Sequence, residues 1–117
     1  MGTGPTNYQL LELLKEIEPK ARVSNLWRRV SDDLKKPTRQ RREVNVYKID
    51  RYARDGETIL VPGKVLSVGE LSKKVDVAAL KFSSGASKKI TQAKGQVLSI
   101  KQLLEKNPEG KKVRILG

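Results

Sequence analysis

The sequence contains no cysteine and no histidine. That excludes disulfides, thiol nucleophiles, imidazole acid–base catalysts and zinc sites built from the usual ligands. A lack of cysteine beside many charged residues also suits a thermophilic source. Aromatic residues are scarce: Tyr8, Trp27, Tyr47, Tyr52 and Phe82 are the whole set, so the core must be built from Leu, Ile, Val and Ala. No apolar run approaches the roughly 20 residues of a membrane-spanning helix, and no leader pattern is visible at the start. Met1-Gly2 is followed by Thr6, the region where a myristoylation signal needs a hydroxyl residue. Pro5 and the absence of a second hydrophobic anchor make that a poor case. The expectation is a soluble, cytoplasmic chain.

Catalytic motifs are missing too. No dinucleotide glycine pattern follows a strand, and Pro62-Gly63-Lys64 lacks the rest of a phosphate-binding loop. Ser24, Ser83 and Ser99 each stand where a helix cap is wanted, and none has a candidate base. A serine–lysine pair among Ser83, Ser84 and Lys88 is outweighed by the capping role. Asp32 and Asp33 are adjacent, so their carboxylates point to different faces of a helix and cannot share a metal. No enzyme, metal, cofactor or small-molecule substrate is expected.

What the chain has in quantity is positive charge. It carries 25 Lys+Arg against 13 Asp+Glu, a net +12 in 117 residues, with a pI near 10.1. Self-repulsion on that scale makes sense when a polyanion is the usual neighbour. The excess is not spread evenly. Residues 1–19 carry one cation against three acids, residues 20–54 twelve against four, and residues 55–117 twelve against six. Eight of the nine arginines (Arg22, Arg28, Arg29, Arg39, Arg41, Arg42, Arg51 and Arg54) fall within 20–54; the ninth is Arg114. Arginine offers a planar fork that grips phosphate through two hydrogen bonds and stacks on bases, whereas lysine acts as a point charge. The densest run, Lys35-Lys36-Pro37-Thr38-Arg39-Gln40-Arg41-Arg42, holds five cations and no acid. Charge runs are usually solvated loops, and Pro37 marks this one as an extended connector. With so basic a chain around it, contact with nucleic acid is the better reading. Such a connector would be mobile alone and order on binding.

The periodicity lays out the elements. Thr6 and Gln9 have capping-box spacing, and Leu10, Leu13, Leu14 and Ile17 form a helical stripe that Pro19 should stop. A second helix starts near Ser24, with Val23, Trp27, Val30 and Leu34 on one face and Pro37 at its end. Within it, Arg28–Asp32 and Arg29–Asp33 have the spacing of mutual surface pairs. Glu43 to Val46 reads as a strand leading to Asn45 as helix cap. The helix then runs to Arg54, with Ile49 and Ala53 inward, Lys48, Arg51 and Arg54 outward, and Asp55-Gly56 closing it. Thr58 to Val61 is a strand stopped by Pro62-Gly63, and Lys64 to Leu66 a further short strand before a turn through Gly69. Lys74 to Leu80 is another. Ser83 caps a helix carrying Ala86, Ile90 and Ala93, which closes at Gly95. Val97-Leu98 is a brief strand, Ser99 and Gln102 form a second capping box over Ile100, Leu103 and Leu104, and Val113 to Leu116 is a closing strand. The strand and helix alternation predicts a single compact α/β domain of repeated short strand–strand–helix units, preceded by a helical, arginine-rich N-terminal extension. The expected boundaries are 1–42 for the helical extension with its basic connector and 43–117 for the globular α/β domain.

Three stretches carry a resemblance: KKPTRQRREVNVYKIDRYARDG at 35–56, VPGKVLSVGELSKKVDVAALKFS at 61–83 and NPEGKKVRILG at 107–117. Together with Thr3-Gly4-Pro5-Thr6, they are similar to the archaeal form of the archaeal and eukaryotic large-subunit ribosomal protein family conventionally numbered L eighteen. The later part also resembles the C-terminal half of the bacterial family numbered L fifteen, of the same superfamily. The likeness spans essentially the whole chain. Two places depart from the pattern: Ser67 stands where a glycine is common, and Ala93-Lys94-Gly95 where Ala-Gly-Gly is more usual.

The resemblance implies a structural component of the large subunit that binds large-subunit ribosomal RNA beside neighbouring ribosomal proteins. Carried onto this sequence, the expected RNA contacts are Arg28, Arg29, Lys35, Lys36, Arg39, Arg41, Arg42, Lys48 and Arg51. Lys64, Lys73 and Lys74, around Gly69, are further phosphate contacts. Composition alone would equally allow a DNA-coating chromatin-type protein. Membrane-surface binding is disfavoured, because the first helix is acidic where a basic polar face would be needed.

Overall fold

The computed structural model describes residues 7–36, 42–110 and 112–116. Two helices come first, α1 (Asn7–Ala21) and α2 (Asn25–Leu34). They are followed by β1 (Arg42–Asn45), α3 (Val46–Tyr52), β2 (Thr58–Leu66), β3 (Asp76–Phe82), α4 (Ser84–Gln92), β4 (Val97–Ser99), α5 (Ile100–Lys106) and β5 (Val113–Ile115). Every strand pairing is parallel. A parallel sheet is covered on both faces, and its strands read as nearly continuous apolar runs for that reason.

β2 organises the sheet. β3 pairs with one of its edges, and β5 and β1 lie end to end along the other. Thr58–Leu60 pair with Val113–Ile115, and Gly63–Leu66 with Arg42–Asn45. This explains why Pro62-Gly63 does not end the strand, contrary to expectation. Pro62 has no N–H to donate, and it falls between the last residue paired with β5 and the first paired with β1. On the β3 side the register shifts between Val61 and Lys64, so no ladder bond is asked of it there either. Lys64 to Leu66 therefore belongs to the same nine-residue strand. β3 begins at Asp76 and ends at Phe82, two residues later at each end than its apolar pattern suggested.

Alternating side chains feed two cores. Ile59, Val61, Val77 and Ala79 pack with α3 and α4 residues such as Val46, Ile49, Ala86 and Ile90. Leu60 and Ala78 pack on the opposite face with Ile17 of α1, Trp27, Val30 and Leu34 of α2, and Leu103 and Leu104 of α5. The result is a three-layer α/β/α sandwich in which the first two helices share a core with the sheet. Ile59, Leu60 and Val61 are wholly buried, and each such side chain stabilises the fold by about 1.5–3 kcal/mol relative to exposure.

The helix boundaries follow local chemistry. Ser24, Ser83 and Ser99 each accept a backbone N–H from the first turn of the helix they open, and Ser99 with Gln102 completes the expected capping box. Three expectations fail, the first being that α3 runs to Arg54: it ends at Tyr52, with Ala53 already extended. Pro19 lies inside α1 rather than ending it; so near the C-terminus it removes one intrahelical bond, and Ala21 beyond it still packs against the core. Val23 is 85% exposed, because it precedes the cap and is not on the helical stripe. Thr6 and Pro37 lie outside the described residues.

Candidate nucleic-acid interface

α2 turns Trp27, Val30 and Leu34 fully inward, which leaves Arg28, Arg29 and Asp32 outward. Together with the end of α1 it forms an open groove of about 380 Å³ lined by Glu18, Ala21, Arg22, Arg28, Ser31, Asp32 and Lys35. The expected pairing of Arg28 with Asp32 and of Arg29 with Asp33 does not form. Asp33 instead takes Lys36 Nζ at 3.2 Å, from just past the helix C-terminus where a cation is favoured. Arg22 bonds Glu18 at 3.4 Å. Among the described residues Arg28 and Arg29 have no ion-pair partner, and an exposed pair at that spacing gains only a few tenths of a kcal/mol, so losing it costs little. Lys35 and Lys36 are exposed at the exit of the helix.

From there the chain passes to the edge strand β1. Arg39 and Arg41 lie outside the described residues, and Arg42 opens β1 with its backbone opposite Gly63. The next row across the sheet is Glu43, Lys64 and Lys81. Lys64 is half-buried in this row.

Lys48 and Arg51 lie on α3, across the sheet from α2. Arg51 is exposed, with its guanidinium 5.5 Å from the centre of the Tyr52 ring. The loop from 67 to 75 is bound to α3 by polar contacts. Val68 N–H donates to Asn45 Oδ1 at 3.2 Å, and Val68 C=O accepts from Tyr47 N–H at 3.0 Å. Ser72 donates to Asp50 Oδ1 through both its N–H and its hydroxyl, each at 2.9 Å. The Ser72 N–H, above all, holds the Asp50 carboxyl below its ordinary pKa. Lys89 Nζ donates to the carbonyls of Ser67 and Gly69.

Within that loop the two expected lysines differ. Lys73 Nζ donates to Ala53 C=O at 2.8 Å, so its ammonium caps the end of α3. Lys74 is tied through its backbone, with its N–H on Asp55 Oδ1 at 2.7 Å, while its side chain is exposed. The lone arginine outside the basic region is structural: Arg114 grips Glu57 through two bonds of 3.1 Å. That grip, helped by the Arg54 N–H, lowers the Glu57 pKa.

The expected contacts therefore fall on two sides of the sheet: Arg28, Arg29, Lys35 and Lys36 with α2, and Lys48, Arg51 and Lys74 with α3. Arg42 and Lys64 lie in the sheet between the layers. Sequence reasoning missed Tyr47 and Tyr52, which are 53% and 50% exposed beside those α3 cations. The interleaving of aromatic and basic residues in Tyr47-Lys48-Ile49-Asp50-Arg51-Tyr52 is the signal that could have found them. Among the described residues no helix is long and apolar enough to cross a membrane.

Comparison with known proteins gives a consistent result. The family described as ribosomal protein 60S L18 and 50S L18e matches residues 10–117. A protein of Pyrobaculum aerophilum named large ribosomal subunit protein eL18 is 46% identical over 116 residues, covering 97% of this chain and 95% of its own. Its namesake in Methanoregula boonei is 48% identical over 114 residues, covering 97% and 93%. That of Methanopyrus kandleri is 47% identical over 121 aligned positions, covering 97% and 95%. Nothing in these comparisons supports a DNA-coating role.

Proposed function

Because the chain belongs to the family of ribosomal protein 60S L18 and 50S L18e, and so is a structural protein of the large ribosomal subunit, we propose that it binds and stabilises large-subunit ribosomal RNA through its basic surface. The observation that carries this reading is the state of Arg28 and Arg29. Both are exposed, neither has an ion-pair partner among the described residues, and they lead directly into the cationic run at 35–42. Two exposed arginines that form no ion pair among the described residues are available to phosphate in the bidentate geometry the guanidinium favours.

The division of labour follows from the charge. The sheet and its helices supply a rigid platform, and the basic segment at 35–42 supplies five cations, three of them arginines. Arg39, Arg41 and Arg42 would neutralise phosphates of RNA segments that meet at the edge strand, and Lys48, Arg51, Lys64 and Lys74 would add contacts beyond it. Phosphate contacts fix position, and the shape of the folded RNA rather than its base sequence sets specificity. Neighbouring ribosomal proteins complete the surroundings. The test is sedimentation of a lysate of the source cells after a high-salt wash, with the chain followed by mass spectrometry. The expected result is co-migration with the large subunit. Release into the soluble fraction, or migration with DNA, would overturn the reading.

A further inference from the structure

We propose that the outward face of α3 is a stacking platform for unpaired RNA nucleotides, with Tyr47 and Tyr52 receiving bases while Lys48 and Arg51 hold the adjoining phosphates. At about 100° per residue, Tyr47, Arg51, Lys48 and Tyr52 occupy one arc of about 140°, while Val46 and Ile49 point into the core. The chain has only five aromatic residues, yet two of them stand half in water on one seven-residue helix. Core packing does not account for them. Val68, 62% exposed on the adjoining loop, extends the apolar surface.

The platform is held in place. Tyr47 is bonded through its backbone to Val68, and Gly69, at φ +98°, comes so close that an added Cβ would lie 2.4 Å from Tyr47 Cβ. Its electrostatics suit a polyanion. Asp50 is turned to Ser72, Asp55 to the Lys74 N–H, and Glu57 to Arg114 and the Arg54 N–H. These bonds leave the carboxylates charged, but Lys48, Arg51, Arg54, Lys73, Lys74 and Arg114 together outnumber Asp50, Asp55, Glu57 and Glu70. Arg51 already rests over the Tyr52 ring, an arrangement that can extend to a stacked base. Proteins hold single strands by combining such rings with nearby cations, because every base has a π-face.

The inference rests on the RNA-binding reading above, and the experiment separates the two. The full chain is titrated with a labelled 12-nucleotide oligo(A) and with an oligomer of the same length and charge that is abasic at alternate positions. Each stacked base is worth roughly a tenfold gain in affinity, so wild type should prefer oligo(A) by about that factor. The Tyr47→Ala/Tyr52→Ala variant should lose the preference and Tyr47→Phe/Tyr52→Phe should keep it, with unfolding temperatures confirming that both fold. If wild type does not discriminate, or the alanine variant still does, the platform is refuted; a neighbouring protein then becomes the occupant to seek. If that happens while large-subunit RNA is still bound in a salt-dependent way, the ribosomal-RNA reading survives. If the chain binds no RNA at all, both fall.

Discussion

Replacing Lys94 with glycine should stabilise this protein, and the size of the effect follows from one turn of backbone. α4 ends at Gln92, with Ala93 as C-cap. The Lys94 N–H bonds Thr91 C=O at 2.9 Å, and the Gly95 N–H reaches back to Ile90 C=O at 3.0 Å. That pair of bonds is a Schellman closure, which wants a left-handed residue, usually glycine, at the position Lys94 occupies. Lys94 has φ +69°, and a residue with a Cβ there costs about 1–2 kcal/mol. Glycine would lose more freedom on folding and return part of the gain, leaving a net of about 0.5–1 kcal/mol. For a chain of this length that is a rise of roughly 2–4 °C in unfolding temperature. The assay is thermal unfolding followed by the fluorescence of Trp27, which is fully buried in the fold. Lys94→Ala is the control, since it removes the same charge from a chain of net +12 but keeps the Cβ. It should stay within about 0.5 kcal/mol of wild type. An unchanged or lower unfolding temperature for Lys94→Gly would refute the reasoning, as would an equal gain for Lys94→Ala, which would point to relief of charge repulsion.

The neighbouring position should respond in the opposite sense. A Cβ on Gly95 would lie 1.9 Å from Val75 C=O, so Gly95→Ala should destabilise by about 2–3 kcal/mol through forced movement of backbone; a wild-type melt would contradict this. Acid should weaken the tie between α3 and its loop. Asp50 and Glu57 are held below their ordinary pKa values, so the unfolded chain takes up protons first. Their contribution is complete at neutral pH and is lost as pH falls through about 4 and below. The stability gap between wild type and Asp50→Asn, measured by urea unfolding, should therefore shrink between pH 6 and pH 3. A gap that stays constant would show that Asp50 does not act through its charge.

Legibility in the sequence tracked the range of the interaction. The caps at Ser24, Ser83 and Ser99, the helical stripe of Trp27, Val30 and Leu34, and the order of strands and helices after residue 43, apart from the break expected at Pro62-Gly63, are local signals, and the structure bears them out. Pro62-Gly63 was misread because a proline is tolerated there only through the break between β5 and β1, which respectively follow and precede β2 in the chain and meet only in the folded sheet. Pro19 was misread because near the C-terminus of a helix it costs only one intrahelical bond, and Ala21 beyond it still packs against the core. The packing of α1 and α2 on the sheet depends on the alternation of Leu60 and Ala78 between Ile59, Val61, Val77 and Ala79, which shows two covered faces only once the sheet is known to be parallel. The candidate site divides the same way. Arg28 and Arg29 are exposed, but helical spacing suggested pairs for them that do not form. Spacing could not reveal that Lys73 is spent on Ala53, twenty residues earlier. Tyr47 and Tyr52 escaped because the reading of that helix weighed only its cations and its inward Ile49 and Ala53, and left the rings between them unassigned.

The measurement that bears most directly on the central claim is the salt dependence of binding. Wild type and an Arg28→Ala/Arg29→Ala/Arg41→Ala/Arg42→Ala variant would be titrated with purified large-subunit ribosomal RNA and with duplex DNA of equal phosphate concentration. Each phosphate contact contributes roughly 0.7–0.9 to the slope of log affinity against log salt. The account predicts a clear preference of wild type for the RNA, and a slope lower by about 3 in the variant with little change in unfolding temperature. Equal affinity for RNA and DNA, or a slope unchanged by loss of the four arginines, would contradict it.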